Sequence, residues 1–114
     1  MGVDNRLLDA LVKKASKSHV YMSKHSCVVI PKGEKKFTED MIRSNAHIKM
    51  LGNARGETYH AETMAMNHHP RHKLKGATLI VIRFRNGELS NSKPCEDCQK
   101  AIQKAGIRKV IYST

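Results

Sequence analysis

The chain has 114 residues, with 21 Lys and Arg against 10 Asp and Glu, a formal net charge of +11. That length holds one small domain, residues 1–114, with one core, and a 39% hydrophobic composition free of low-complexity runs excludes a disordered or repeat protein. No apolar stretch approaches membrane-spanning length and no apolar signal region opens the chain, so a cytoplasmic protein is expected, small enough to enter a nucleus.

Residues 4–18 read as an amphipathic helix with the apolar stripe Leu7, Leu8, Leu11, Val12 and Ala15. Lys13, Lys14 and Lys17 sit near its C-terminal end, where the helix dipole favours cations. Residues 27–30 form a short apolar strand, which the Pro31-Lys32-Gly33 turn ends. Over 37–45 two readings stay open: a returning strand through Met41-Ile42, or a helical turn capped by Thr38-Glu39-Asp40. Residues 46–59, with Gly52-Asn53 and Arg55-Gly56, read as a long loop. Residues 60–68 are a second helix, terminated by Pro70. Residues 77–84 are the strongest strand signal, and the run Leu79-Ile80-Val81-Ile82 predicts burial on both faces. Asn86-Gly87 marks a tight turn. A third helix spans 95–105 with Gly106 as its cap, and a last strand spans 107–112. Helix, two strands, helix, strand, helix, strand predicts an α/β fold, a three-layer α/β/α sandwich around a mixed sheet.

The charge is spread evenly: residues 1–59 carry 11 basic and 6 acidic groups, residues 60–114 carry 10 and 4. A broadly positive surface attracts a nucleotide phosphate or nucleic acid; it also serves simply as a solvated surface. Of the 3 cysteines, Cys27 lies in an apolar run and is expected to be a buried, inert thiol. The other two form Pro94-Cys95-Glu96-Asp97-Cys98, and His60-Ala61-Glu62 stands upstream. Cys95 and Cys98 are i, i+3 at a helix start, so both can face one point, where the positive end of the helix favours thiolates. Pro94 presets φ where that helix begins. His60 starts the other helix, so two helix N-termini are expected to converge. His60, Cys95 and Cys98 are three protein ligands for one Zn2+. A structural zinc needs four, whereas a catalytic zinc keeps the fourth position for water, with Glu62 as a spare acid/base group beside it. A closed site with a fourth ligand from His47, His68, His69 or His72 is the competing reading. The segment His68-His69-Pro70-Arg71-His72 reads as a solvated loop after the helix rather than a second metal site.

From about Tyr59 to Tyr112 the chain resembles the cytidine/deoxycytidylate deaminase superfamily, and deoxycytidylate deaminases most closely. The likeness is carried by His60-Ala61-Glu62, Ala65, Lys75-Gly76, Pro94-Cys95-x-x-Cys98 and Ala105-Gly106-Ile107-Arg108-Lys109-Val110-Ile111-Tyr112. It implies a cytidine deaminase-like fold, here a minimal version ending after the fourth strand. It implies a zinc-dependent hydrolytic deaminase that converts the cytosine of a nucleotide or nucleoside to uracil and releases ammonia. By the resemblance His60, Cys95 and Cys98 hold the zinc and Glu62 shuttles protons. The Ala61 amide faces the pyrimidine carbonyl, the Lys93 carbonyl holds the exocyclic amine, and Asn45 contacts sugar or base. Arg43, Arg55 and Lys93 are the candidate phosphate contacts. The chain departs from the family pattern at Met64, in an insertion over 85–93 read as a hairpin near the site mouth, and in stopping at Thr114. Cytosine in single-stranded DNA or RNA is the alternative substrate, although 3 Tyr, 2 Phe and no Trp supply few stacking surfaces. A non-catalytic basic zinc domain that binds nucleic acid is the second alternative. The apolar last strand, with nothing after it to cover its edge, predicts a homo-oligomer.

Overall fold

Asp4 opens the first helix, α1 (Asn5–Ser16), by accepting a hydrogen bond from the Arg6 amide at 2.8 Å. The computed structural model describes residues 3–17, 24–34, 36–47 and 58–114; for 46, 47, 58 and 59 it describes the backbone. Leu7, Leu11 and Ala15 are the buried residues of α1, a narrower stripe than the sequence predicts because Leu8 and Val12 lie at its margin.

Strand β1 (Lys24–Ile30) begins three residues earlier than its apolar run suggests. Both readings of 37–45 contribute: Thr38 caps a 3-10 turn, Glu39–Met41, and the chain then returns as β2 (Arg43–Ser44), antiparallel to β1. The expected loop over 46–59 is not all loop. Its ends pair as β3 (Ala46–His47) and β4 (Thr58–Tyr59), and 48–57 lie outside the described residues. Helix α2 (Ala61–Asn67) follows. The expected solvated loop over 68–72 is half right. Pro70 caps one helical turn, α3 (Arg71–Leu74), because proline's missing amide costs nothing at a helix start and Leu74 finds a buried seat. Strand β5 (Thr78–Arg85) turns through Asn86 and Gly87, both at positive φ, into β6 (Glu88–Ser90). The expected hairpin over 85–93 therefore forms, and it adds a strand to the sheet. Helix α4 (Glu96–Ala105) ends at Gly106 in the left-handed region, with the Ile107 amide donating back to the Ile102 carbonyl at 3.3 Å. Strand β7 (Lys109–Tyr112) pairs parallel with β5.

The mixed sheet runs β2-β1-β5-β6 with β7 also on β5, five strands where the sequence suggested four. Side chains alternate across it, so successive residues serve opposite layers. Val28, Ile80 and Ile82 pack with Leu7 and Leu11 of α1 on one face. Cys27, Val29, Leu79 and Val81 pack with Ala61 and Ala65 of α2 and Ile102 of α4 on the other. This is the expected three-layer sandwich. Ser26, fully buried on the α1 side, donates to the Leu11 carbonyl at 2.6 Å and ties helix to sheet. Among the described residues no helix is long and apolar enough to cross a membrane.

Two buried serines lock the hairpin to the sheet just before the cysteine motif. Ser92 Oγ donates to the Val81 carbonyl at 2.9 Å, and Ser113 Oγ to the Ser90 carbonyl at 2.6 Å. Ser113 Oγ also accepts from the Arg83 amide at 3.1 Å. Ser113→Ala deprives both Arg83 and Ser90 of a partner. Its expected cost is about 1–3 kcal/mol, read as a melting temperature lower by roughly 4–8 °C per kcal/mol. An unchanged melting temperature would show that water replaces the hydroxyl without loss.

Candidate metal centre

The residues of the motif meet because two helices start at the same place. His60 is the N-cap of α2 and Cys95 the N-cap of α4. Both have extended backbones, and neither spends its side chain on capping, which leaves imidazole and thiol for other work. Cys98, in the first turn of α4, is 5% exposed, while His60 and Cys95 are open to solvent. His60 Nδ1 lies 3.2 Å from Cys98 Sγ and 3.7 Å from Cys95 Sγ. All three donor atoms fall within 4.8 Å of one another.

That donor set fits one zinc. Bonds of about 2.0–2.3 Å in a tetrahedron put neighbouring ligand atoms about 3.6–3.8 Å apart. Two thiols and an imidazole suit zinc by softness as well. Among the described residues no fourth His, Cys, Asp or Glu joins the group. His72 is exposed, His68 stacks edge-on against His69 at 5.0 Å, and His69 Nε2 lies 2.9 Å from the Val29 carbonyl. Burial lowers the His69 pKa, against the opposing pull of the Val29 carbonyl. The side chain of His47, the remaining candidate for a closed site, is outside the described residues.

Glu62 stands in the first turn of α2, 4% exposed, and its carboxylate hydrogen-bonds the Cys98 thiol. Burial, and after it this carboxylate, push the Cys98 thiol far above the ordinary range. A thiol held protonated must lose its proton to bind a cation, so zinc uptake is expected to release protons and to tighten as pH rises. Competition with a chromogenic chelator at pH 6 and pH 8 measures this, at up to about tenfold per pH unit for each thiol deprotonated. Equal affinity at both pH values would show that the ligands bind already ionised.

Cys27 lies closer to this centre than its sequence context suggests. It is fully buried, as expected, and burial first, then Glu62 and Cys98, raise its thiol pKa. It remains a neutral thiol beneath the carboxylate. Ala61 is buried at the start of α2. Asn45, 7% exposed, accepts from the His25 amide at 3.0 Å through its side chain. Arg43 is opposite Cys27 in register and so on the same face of the sheet. Lys93 is exposed, its amide held by Asn91 Oδ1 at 2.9 Å, and it lines a cavity of about 340 Å³ with Pro94, Gln99 and Tyr112. Arg55 is outside the described residues. The contribution of Ser92 and Ser113 escapes sequence reasoning, since serines near turns carry no distinguishing signal.

An α/β/α domain is thereby defined in which two helix starts group His60, Cys95 and Cys98 closely enough to hold one zinc, with the buried Glu62 in the first turn of α2. The model for the cytidine and deoxycytidylate deaminase zinc-binding region matches residues 1–114, and the chain belongs to that family. No curated protein matches the chain.

Proposed function

We propose that this chain is a hydrolytic deaminase that converts the cytosine of a nucleotide or nucleoside, dCMP in type, to uracil with release of ammonia. The observation that carries it is a three-ligand cluster with one buried carboxylate, Glu62, beside it in a chain of the deaminase family. In this reading His60, Cys95 and Cys98 hold the metal, within the single domain 1–114. When bound, zinc supplies Lewis acidity that brings the pKa of its water to about 7. Glu62 takes one proton of the water as its oxygen adds to C4 and hands it to ring N3; it then takes the second from the C4 hydroxyl, which becomes the carbonyl, and gives it to the amine as the C4–N bond breaks. Burial beside Cys98 fixes the carboxylate and keeps bulk water from competing for its protons. The Ala61 amide, the Lys93 carbonyl and Asn45 orient the base and sugar. In this reading Arg43, Arg55 and Lys93 contact the phosphate, and the 46–59 segment and the β5–β6 hairpin choose the substrate.

The net charge of +11 favours a second reading, cytosine in single-stranded DNA or RNA. A screen of zinc-loaded protein against dCMP, deoxycytidine, cytosine and single-stranded DNA and RNA, with ammonia release as readout, separates the two. Turnover of dCMP is expected. No release from any of them would leave a basic zinc domain without catalysis.

The chain is further proposed to form a homo-oligomer, most simply a two-fold dimer. Among the described residues β7 pairs with β5 alone, which leaves its outer edge for a second chain. Repulsion between highly charged copies opposes this, so association is expected to strengthen with salt. Light scattering at micromolar protein and near-physiological salt tests it, and a strict monomer there would overturn it.

A further inference from the structure

We infer that Arg83 is a specificity-determining residue whose guanidinium binds the phosphate of a mononucleotide substrate at the zinc centre, an inference that rests on the deaminase reading above. Along β5 the residues facing α2 and α4 are Leu79, Val81 and then Arg83. An apolar series that ends in arginine on its inward face is a departure that needs a reason. Register supplies the neighbours. Arg83 is opposite His25 of β1 on one side and Ser90 of β6 on the other. Asn45 joins the same row, bonded to His25 through both the Asn45 amide and its side chain. Asn45, His25, Arg83 and Ser90 thus form a polar row across the sheet. The next row is Arg43, Cys27 and Val81.

Cys27 fixes the position of that row relative to the metal centre, because Glu62 and Cys98 act directly on its thiol. The body of α2 runs from there toward the opposite end of β1, where His69 reaches the Val29 carbonyl. The helix therefore covers residues 27 and 29 of β1 and leaves the row of His25 and Arg83 beyond its start. One two-residue step along a strand, about 7 Å, separates this row from the residues beneath Glu62. A sugar separates a pyrimidine from its phosphate over a length of that order.

Arg83 Nε is buried and has no hydrogen-bond partner among the described residues. No ion pair among them involves Arg83. No carboxylate stands in its row; Glu88 lies one step further along the hairpin, opposite Arg85 and exposed. A guanidinium keeps its charge at any physiological pH, and no acceptor among the described residues meets its Nε. Its planar fork matches the oxygens of a phosphate monoester.

The test is titration calorimetry on zinc-loaded Glu62→Gln protein, which binds without turning substrate over. The ligands are deoxycytidine 5′-monophosphate, deoxycytidine, and an oligodeoxycytidylate without a terminal phosphate. The monophosphate is expected to bind at least about tenfold tighter than the nucleoside, the scale of one charged hydrogen-bonding contact. Adding Arg83→Gln should bring that ratio close to one. Arg83→Lys, which keeps the charge and loses the fork, should retain part of it and serves as the test if the Gln variant fails to fold. An unchanged ratio in Arg83→Lys and Arg83→Gln alike, or equal weakening of both small ligands, overturns the inference. So does an effect confined to the oligonucleotide. Ammonia release by the protein with Glu62 intact is measured separately. Its absence beside an Arg83-dependent binding ratio would remove the deaminase reading and leave the phosphate contact standing.

Discussion

Glu62→Gln is expected to lower ammonia release by at least ~10²-fold, the lower range for removal of a general acid–base, while fold and zinc content stay as they were. The amide keeps the size of the carboxylate and much of its hydrogen bonding, so the 4%-exposed seat in α2 remains filled. Loss of the ability to carry a proton is the intended change. Cys98 provides an internal control. Its thiol is raised first by burial and next by the Glu62 carboxylate, so removing that charge should ease thiol ionisation and leave zinc affinity equal or tighter. Turnover and metal content should therefore move independently. Ammonia release within a few fold of the unchanged protein would refute the assigned role, and loss of zinc in the variant would show that Glu62 supports the metal rather than the proton.

Much of this centre is legible in the sequence because helix starts are written in local chemistry. His60, Pro94-Cys95 and Cys98 sit where periodicity begins; the i, i+3 spacing turns Cys95 and Cys98 to one point, and the family resemblance brings His60 to them. The layers are equally legible: alternation in 77–84 assigns Leu79 and Val81 to one face and Ile80 and Ile82 to the other. What escapes is set by pairing partners distant in sequence. The placement of Cys27 beneath Glu62 depends on β1 lying beside β5, and an apolar run does not say what lies above it. The seryl lock of Ser92 and Ser113 joins residues 21 apart through hydroxyls that any loop serine possesses. The α3 turn was hidden because Pro70 reads as a terminator when it also begins the next helical turn. Arg83 is the intermediate case. Its place on the inward period of a buried strand is visible in the sequence, but its orphaned Nε is not.

Cys98→Ala is expected to abolish tight zinc binding and to lower thermal stability at the same time. The side chain is 5% exposed in the first turn of α4 and brings its sulfur within 3.2 Å of His60 Nδ1. Its loss leaves one imidazole and one exposed thiol, too few to hold the ion against solvent. Zinc binding to the folded chain adds stability by mass action, about 4 kcal/mol when free metal exceeds the dissociation constant a thousandfold. The variant forfeits that linkage, so its melting temperature should match that of chelator-treated unchanged protein and should not respond to added zinc. A second cysteine makes the experiment discriminating. Cys27 is fully buried and close enough to feel both Glu62 and Cys98, so a thiol-rich pocket could in principle recruit it. Cys27 does not join the group of three donor atoms, and its burial favours the neutral thiol. Cys27→Ala should therefore keep one zinc per chain and lose only packing, about 1 kcal/mol for a small cavity. Zinc retained by Cys98→Ala, or lost by Cys27→Ala, would show that the second sulfur ligand had been assigned to the wrong cysteine.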